Sequence, residues 1–165
     1  MFKLRFFLIV FRLVMRYATD RDESQADGTM EFRPLGEGKS MNARVVIVDD
    51  HKMFRDGLRG LINAEPGMEV VGEAVDGREA IEVTRRLAPD VVVMDISMPG
   101  MNGIEALRHL IKDRPDVKVI MLSMYSSGPL VQSVLAAGAA GYVLKGSDFA
   151  ELAATIRRAC GLQDC

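Results

Sequence analysis

Downstream of Met41 the sequence switches five times between a short apolar run and a longer segment with a helical apolar stripe. The runs fall at residues 44–48, 69–74, 91–95, 118–123 and 141–144. Two of them, Arg44-Val-Val-Ile-Val48 and Val91-Val-Val-Met94, are apolar without alternation, as strands covered on both faces of a parallel sheet are. The segments between carry apolar residues spaced by three and four: Phe54, Leu58, Leu61 and Ile62, then Ala80, Val83, Thr84 and Leu87 behind the capping pair Asp76 and Glu79. The third has Ile104, Leu107, Leu110 and Ile111. The fourth has Leu130, Val131, Val134 and Leu135 closed by Gly138, and the fifth Phe149, Leu152, Ala153 and Ile156 behind Ser147-Asp148. Five strand-helix units joined by right-handed crossovers predict an α/β fold, a doubly wound (βα)5 sandwich on a five-stranded parallel sheet in the order 2-1-3-4-5.

Ligands of such sheets bind beyond the carboxyl ends of the strands. The first run ends in Asp49-Asp50 and the third in Asp95. In the predicted order these strands are neighbours about 4.8 Å apart, so the three carboxylates share one sheet end. They cannot all stay ionised there unaided. Either some pKa values rise or a hard cation sits among them, and Mg²⁺ with oxygen ligands and retained waters suits a solvent-facing set. The fourth run ends in Ser123 and the fifth in Lys145, which adds a hydroxyl and an ammonium to the same edge. A cation, an ammonium and a hydroxyl around a carboxylate form an environment for a phosphoryl group, with Asp95 at its centre.

Simpler roles compete for some of these residues. Asp49 and Asp50 would also suit the N-terminus of the first helix, where the macrodipole favours acids, but that role leaves Asp95, Ser123 and Lys145 unaccounted for. Asp90 reads as a turn residue after Pro89. His51 reads as a residue that positions the acidic loop, with ligation as its alternative, and His109 as a solvated residue on the outer face of the third helix. The segment Met98-Pro99-Gly100-Met101-Asn102-Gly103 serves as a turn before that helix.

Five separated motifs make the pattern specific: Val-Asp-Asp-His at 48–51, Pro89-Asp90, Met-Asp-Ile-Ser-Met-Pro-Gly-Met-Asn-Gly at 94–103, Leu122-Ser123, and Gly-Tyr-Val-Leu-Lys at 141–145. In these the chain resembles the receiver domain of bacterial two-component response regulators, which is flavodoxin-like. The wording Asp-Asp-His-Lys-Met-Phe-Arg-Asp-Gly-Leu at 49–58 further resembles the subfamily whose receivers precede a LuxR-type helix-turn-helix. The resemblance implies that Asp95 is the phosphoacceptor. It implies that Asp50 binds Mg²⁺ directly, Asp49 through water, and the main-chain carbonyl of Ser97 completes the shell with Asp95. Lys145 would pair with the phosphoryl oxygens, Ser123 would hydrogen-bond one of them, and Tyr142 would be the aromatic that follows Ser123. The implied partner is a sensor histidine kinase or a phosphotransfer protein, and a homodimer is compatible with it. Gly146 stands where many receivers have proline. The sequence ends at Cys165 soon after the fifth helix, so direct DNA binding by this chain is not expected.

The remainder of the chain adds little. Residues 1–40 are expected to be an N-terminal extension and linker, disordered or preceding the natural start at Met41, with the receiver at 41–165. The apolar stretch within residues 1–18 is broken by Arg12 and too short to span a bilayer, it lacks a small-residue cleavage site, and an interfacial helix touching a membrane is its minor alternative. Gly38-Lys39-Ser40 imitates the end of a phosphate-binding loop, but Arg33 stands where the first glycine belongs. A net charge of −2 gives no drive toward nucleic acid, and Cys160 and Cys165 match no metal spacing and fit a reducing cytoplasm.

The expected function is therefore a signalling phosphoacceptor and not a turnover enzyme. A pseudo-receiver that only binds proteins is the alternative. An aspartyl-phosphate phosphatase-type enzyme is disfavoured, because Ser97 stands where its Asp-x-Asp acid would be.

Overall fold

The computed structural model describes residues 42–162, so the readings made for residues 1–40 and for Cys165 lie outside the described residues. Five parallel strands, β1 (Ala43–Val48), β2 (Met68–Ala74), β3 (Val91–Asp95), β4 (Lys118–Ser123) and β5 (Gly141–Leu144), form one sheet in the order β2-β1-β3-β4-β5. The predicted topology and all five strand positions are present. β1 and β2 begin one residue earlier than the apolar runs, at Ala43 and Met68, which pair with each other. Among the described residues no helix is long and apolar enough to cross a membrane.

Five helices cover the sheet: α1 (Lys52–Asn63), α2 (Gly77–Leu87), α3 (Gly103–Asp113), α4 (Gly128–Ala136) and α5 (Phe149–Cys160). Strand side chains alternate between faces, and one face is filled by Val46, Val48, Val92, Met94, Val119 and Met121 against Ala80 and Val83 of α2, Leu107 and Leu110 of α3 and Val134 of α4. α1 lies on β1 and β2, and α5 on β3, β4 and β5. Arg157 of α5 reaches Glu65, just past α1, at 2.7 Å. β3 is buried from end to end and β1 at every residue but Arg44, as their runs of Val, Ile and Met require.

Helix entries follow the sequence signals. Asp76 accepts from the N–H groups of Arg78 and Glu79, while Glu79 reaches back to the Val75 N–H. Asn102 and Glu105 form a reciprocal capping box at α3. That helix starts hard against the end of β3, since a Cβ on Gly103 would lie 2.1 Å from the Asp95 carbonyl oxygen, so only glycine fits. Asp90 works at the opposite end of the sheet. Its carboxylate accepts from the Arg44 N–H at 2.9 Å and its own N–H donates to the Arg44 carbonyl, a turn role as read.

α4 departs from expectation. Of Leu130, Val131, Val134 and Leu135 only Val134 is buried, and Leu135 is 46% exposed. In this nine-residue helix only Gln132 and Ser133 are polar and no residue is charged, too little of a polar face to give its stripe a direction, so the sequence could not say which residues point inward.

Candidate functional site

Strand register sets the site. Val48 pairs with Met94, and Met94 with Met121, so the next residues, Asp49 and Asp95, leave the sheet side by side. Ser123 pairs with Leu144, which places Lys145 just beyond on the same edge. Asp49, Asp95, Ser123 and Lys145 are all buried, at 0, 3, 1 and 6% exposure. Burial of four polar side chains requires that each find a hydrogen-bonding partner.

Lys145 does most of this. Its Nζ donates to Asp49 Oδ2 and to Asp95 Oδ2, each at 2.6 Å, and lies 4.8 Å from the centroid of the Phe54 ring. The ammonium thus separates two buried carboxylates that would otherwise repel, with an aromatic face as its third neighbour. The second oxygen of Asp95 accepts from the Ser97 N–H at 3.2 Å. Burial pushes the Asp95 carboxyl above its ordinary range, and Lys145 opposes that rise.

The acidic loop wraps the other side. Asp49 Oδ1 accepts from the His51 N–H at 2.8 Å, and His51 Nδ1 lies 3.3 Å from Asp49 Oδ1 and 2.9 Å from Asp50 Oδ1. His51 therefore links both acids, in keeping with its reading as a loop-positioning residue. Among the described residues Asp49, Asp50 and His51 form one group with ligand atoms within 4.8 Å of one another, close enough to hold a metal ion. Asp95 is not in that group, because its oxygens face Lys145 and Ser97. The charge balance suits a cation nonetheless: three carboxylates and one ammonium leave two negative charges, and Asp50 keeps 29% of its side chain open to solvent. Carboxylate oxygens in a partly solvated rim are the donors a hard divalent cation takes.

Ser123 and Tyr142 meet at a residue that carried no signal in the sequence. Ser123 Oγ accepts from the Tyr125 N–H at 3.0 Å, and the Tyr142 hydroxyl donates to the Tyr125 carbonyl at 2.5 Å. Both side chains are thus tied to the segment that enters α4. In the sequence Phe54 reads only as part of the α1 core stripe, and Arg55 has no role of its own. Arg55 is nevertheless buried, and its guanidinium donates to the Asp49 carbonyl at 2.7 Å. A charged residue next to a core residue five positions after the acidic pair was the available cue. His109 is exposed on α3, as read.

Comparison with known proteins agrees with this geometry. Residues 45–157 match the response regulator receiver domain family. The chain is 47% identical over 105 residues to the transcriptional regulatory protein DegU of Brevibacillus brevis, covering 64% of this chain and 44% of that protein. Among solved structures it is similar to a LuxR-family two-component response regulator from Aurantimonas sp. SI85-9A1, with 41% identity, a TM-score of 0.70, and coverage of 73% of this chain and 86% of that one. It is also similar to the response regulator domain of Thermotoga maritima CheB, with 36% identity, a TM-score of 0.69, and coverage of 74 and 99%. The chain spans about half the length of the curated relatives it matches. With the five-stranded order, the acidic edge and the matched span in agreement, the chain belongs to the response regulator receiver domain family.

Proposed function

We propose that this domain is a phosphoacceptor switch of a two-component phosphorelay, taking a phosphoryl group on Asp95 from a phosphohistidine of a sensor histidine kinase or phosphotransfer protein. The observation that carries the reading is the Lys145 ammonium, shared at 2.6 Å between the buried carboxylates of Asp49 and Asp95 beside an open acid, Asp50. An Asp95 oxygen attacks phosphorus, the phosphorus–nitrogen bond of the donor breaks, and its electron pair returns to the imidazole. Lys145 keeps its bond to Asp49 and turns its remaining donors to the phosphoryl oxygens. The Ser123 hydroxyl already accepts from Tyr125, which leaves its one proton to donate to the same group.

Asp50, the more exposed acid, would hold Mg²⁺ directly, with Asp49 behind it acting through water and the Ser97 carbonyl and Asp95 completing the shell. Bound there, Mg²⁺ supplies neutralisation of the charge on the phosphoryl oxygens.

The response travels through Tyr125. As Ser123 is drawn to the anion, Tyr125 and with it Tyr142 are biased toward one arrangement, which shifts an existing equilibrium at the face of α4, β5 and α5. Protein contacts, a homodimer among them, read that face. In this proposal the receiver comprises residues 41–165, residues 1–40 stand outside the switch, no residue of the receiver contacts DNA, and the work is done in the cytoplasm without substrate turnover.

The test is incubation with Mg²⁺ and acetyl phosphate followed by intact-mass measurement. A base-labile gain of one phosphoryl group, absent in Asp95→Asn, is expected. No gain in the parent chain sinks the switch and favours a pseudo-receiver, whereas rapid multiple turnover of a phosphate ester favours a phosphatase.

A further inference from the structure

We infer that Arg55 is a positioning residue for the cation site: its guanidinium fixes the Asp49 main chain, and so the Asp49-Asp50 loop, while Glu73 offsets its charge. The inference rests on the proposed Mg²⁺ site and adds to it the residue that sets its affinity. Val48 and Ala74 are the last ladder pair of β1 and β2, and the Asp49 N–H still bonds to the Ala74 carbonyl at 3.2 Å. The Asp49 carbonyl lies beyond that ladder in a fully buried residue, where a backbone acceptor needs a donor. Arg55 supplies it at 2.7 Å from the first turn of α1.

The arrangement is built to hold a cation beside another cation's site. The Arg55 Nε donates to Glu73 Oε2 at 3.0 Å, and Glu73 is set by its pairing with Ile47 across the β1–β2 ladder. Arg59, one turn further along α1, forms an ion pair with the second oxygen of Glu73 without a well-aligned hydrogen bond. An arginine side chain is only 10% exposed here, which is tolerable because its planar fork meets a carbonyl and a carboxylate at once. Glu73 is part of the device, since an uncancelled guanidinium behind Asp49 would lower the negative potential that draws a divalent ion to Asp49 and Asp50. Neither Arg55 nor Glu73 belongs to the ligand group itself, so they act on the cation only through the loop and the field.

The test is calorimetric titration of the whole chain with Mg²⁺, alongside the Mg²⁺ dependence of phosphorylation by acetyl phosphate. Partners of metal ligands typically change affinity by 10-fold or more. Arg55→Ala is expected to raise the Mg²⁺ dissociation constant by roughly tenfold while thermal melting stays cooperative. Arg55→Lys, which reaches the carbonyl or Glu73 but not both, falls between that variant and the parent, and also serves if the alanine variant does not fold. Glu73→Gln, which keeps the shape and strands the charge, weakens Mg²⁺ by a smaller factor. In the phosphorylation assay the half-saturating Mg²⁺ shifts far more than the rate at saturation. Parent-like affinity in both Arg55→Ala and Arg55→Lys overturns the inference, as does a loss of rate that excess Mg²⁺ does not restore. Calorimetry needs no phosphoryl transfer, so failure of Asp95 to accept phosphate and failure of Arg55 to set the affinity give different results.

Discussion

The β1–α1 corner and the β4–α4 corner flank the same sheet edge and are built in opposite ways. At the first, Asp49, Arg55, Asp95 and Lys145 are buried charges, Lys145 bonded to both acids at 2.6 Å and Arg55 to the Asp49 carbonyl and to Glu73 at 2.7 and 3.0 Å. At the second, residues 124–144 carry no charge at all, Met124, Tyr125 and Leu135 are large apolar side chains left exposed, and α4 buries only Val134 fully, with Leu130 partly buried against the same core. Buried ion networks resist displacement because any half-made arrangement leaves a bare charge. A helix with a single fully buried side chain has few contacts to lose on moving. The contrast suits a domain in which one corner holds reacting groups still and the other responds.

The comparison can be broken at either corner. The largest effect on stability is expected from Lys145→Ala, which leaves Asp49 and Asp95 facing each other without a counterion; loss of about 3–5 kcal/mol in urea unfolding at neutral pH is predicted. The deficit should shrink as pH falls. A carboxyl whose folded pKa is raised contributes stability below its unfolded pKa and loses it as pH rises through the folded value. A Lys145→Ala protein as stable as the parent at neutral pH would show that the corner is not held by charge.

Val134→Ala should cost about 2 kcal/mol, as truncation of the one fully buried side chain of α4, and should loosen that helix without lowering the extent of phosphorylation. Smaller is the pH effect of Asp95→Asn. The parent's Asp95 carboxyl is pushed up by burial, so in the window from its ordinary value to its raised one the parent loses stability as pH climbs. The variant lacks that titration and should gain on the parent through the same window, measured by thermal melts at several pH values. Leu135→Ala should change stability by no more than about 0.5 kcal/mol, since its side chain is largely in water. An equal cost at Val134 and Leu135 would erase the asymmetry assigned to α4.

The two corners were also unequally legible. Strand order, strand limits and the gathering of Asp49, Asp50, Asp95, Ser123 and Lys145 at one edge followed from apolar period and from where polar residues interrupt it. The contacts inside the first corner did not, because Lys145 meets partners 96 and 50 residues away, and no local pattern announces that it bridges acids before any phosphoryl group arrives. For Arg55 the one cue was a charge set beside a core residue, and it could not name the partners, a backbone carbonyl and a residue of the next strand. At the second corner the stripe of α4 misled in direction, and Tyr125, which takes the bonds of both Ser123 and Tyr142, looked like an ordinary loop aromatic.

Amide hydrogen exchange, measured on the chain with Mg²⁺ alone and with Mg²⁺ plus acetyl phosphate, tests the division most directly. With Asp95 phosphorylated, protection should change across residues 123–136 while residues 43–48 and 91–95 keep theirs. A phosphorylated chain whose α4 segment exchanges as before, or whose change is confined to β1 and β3, would contradict it.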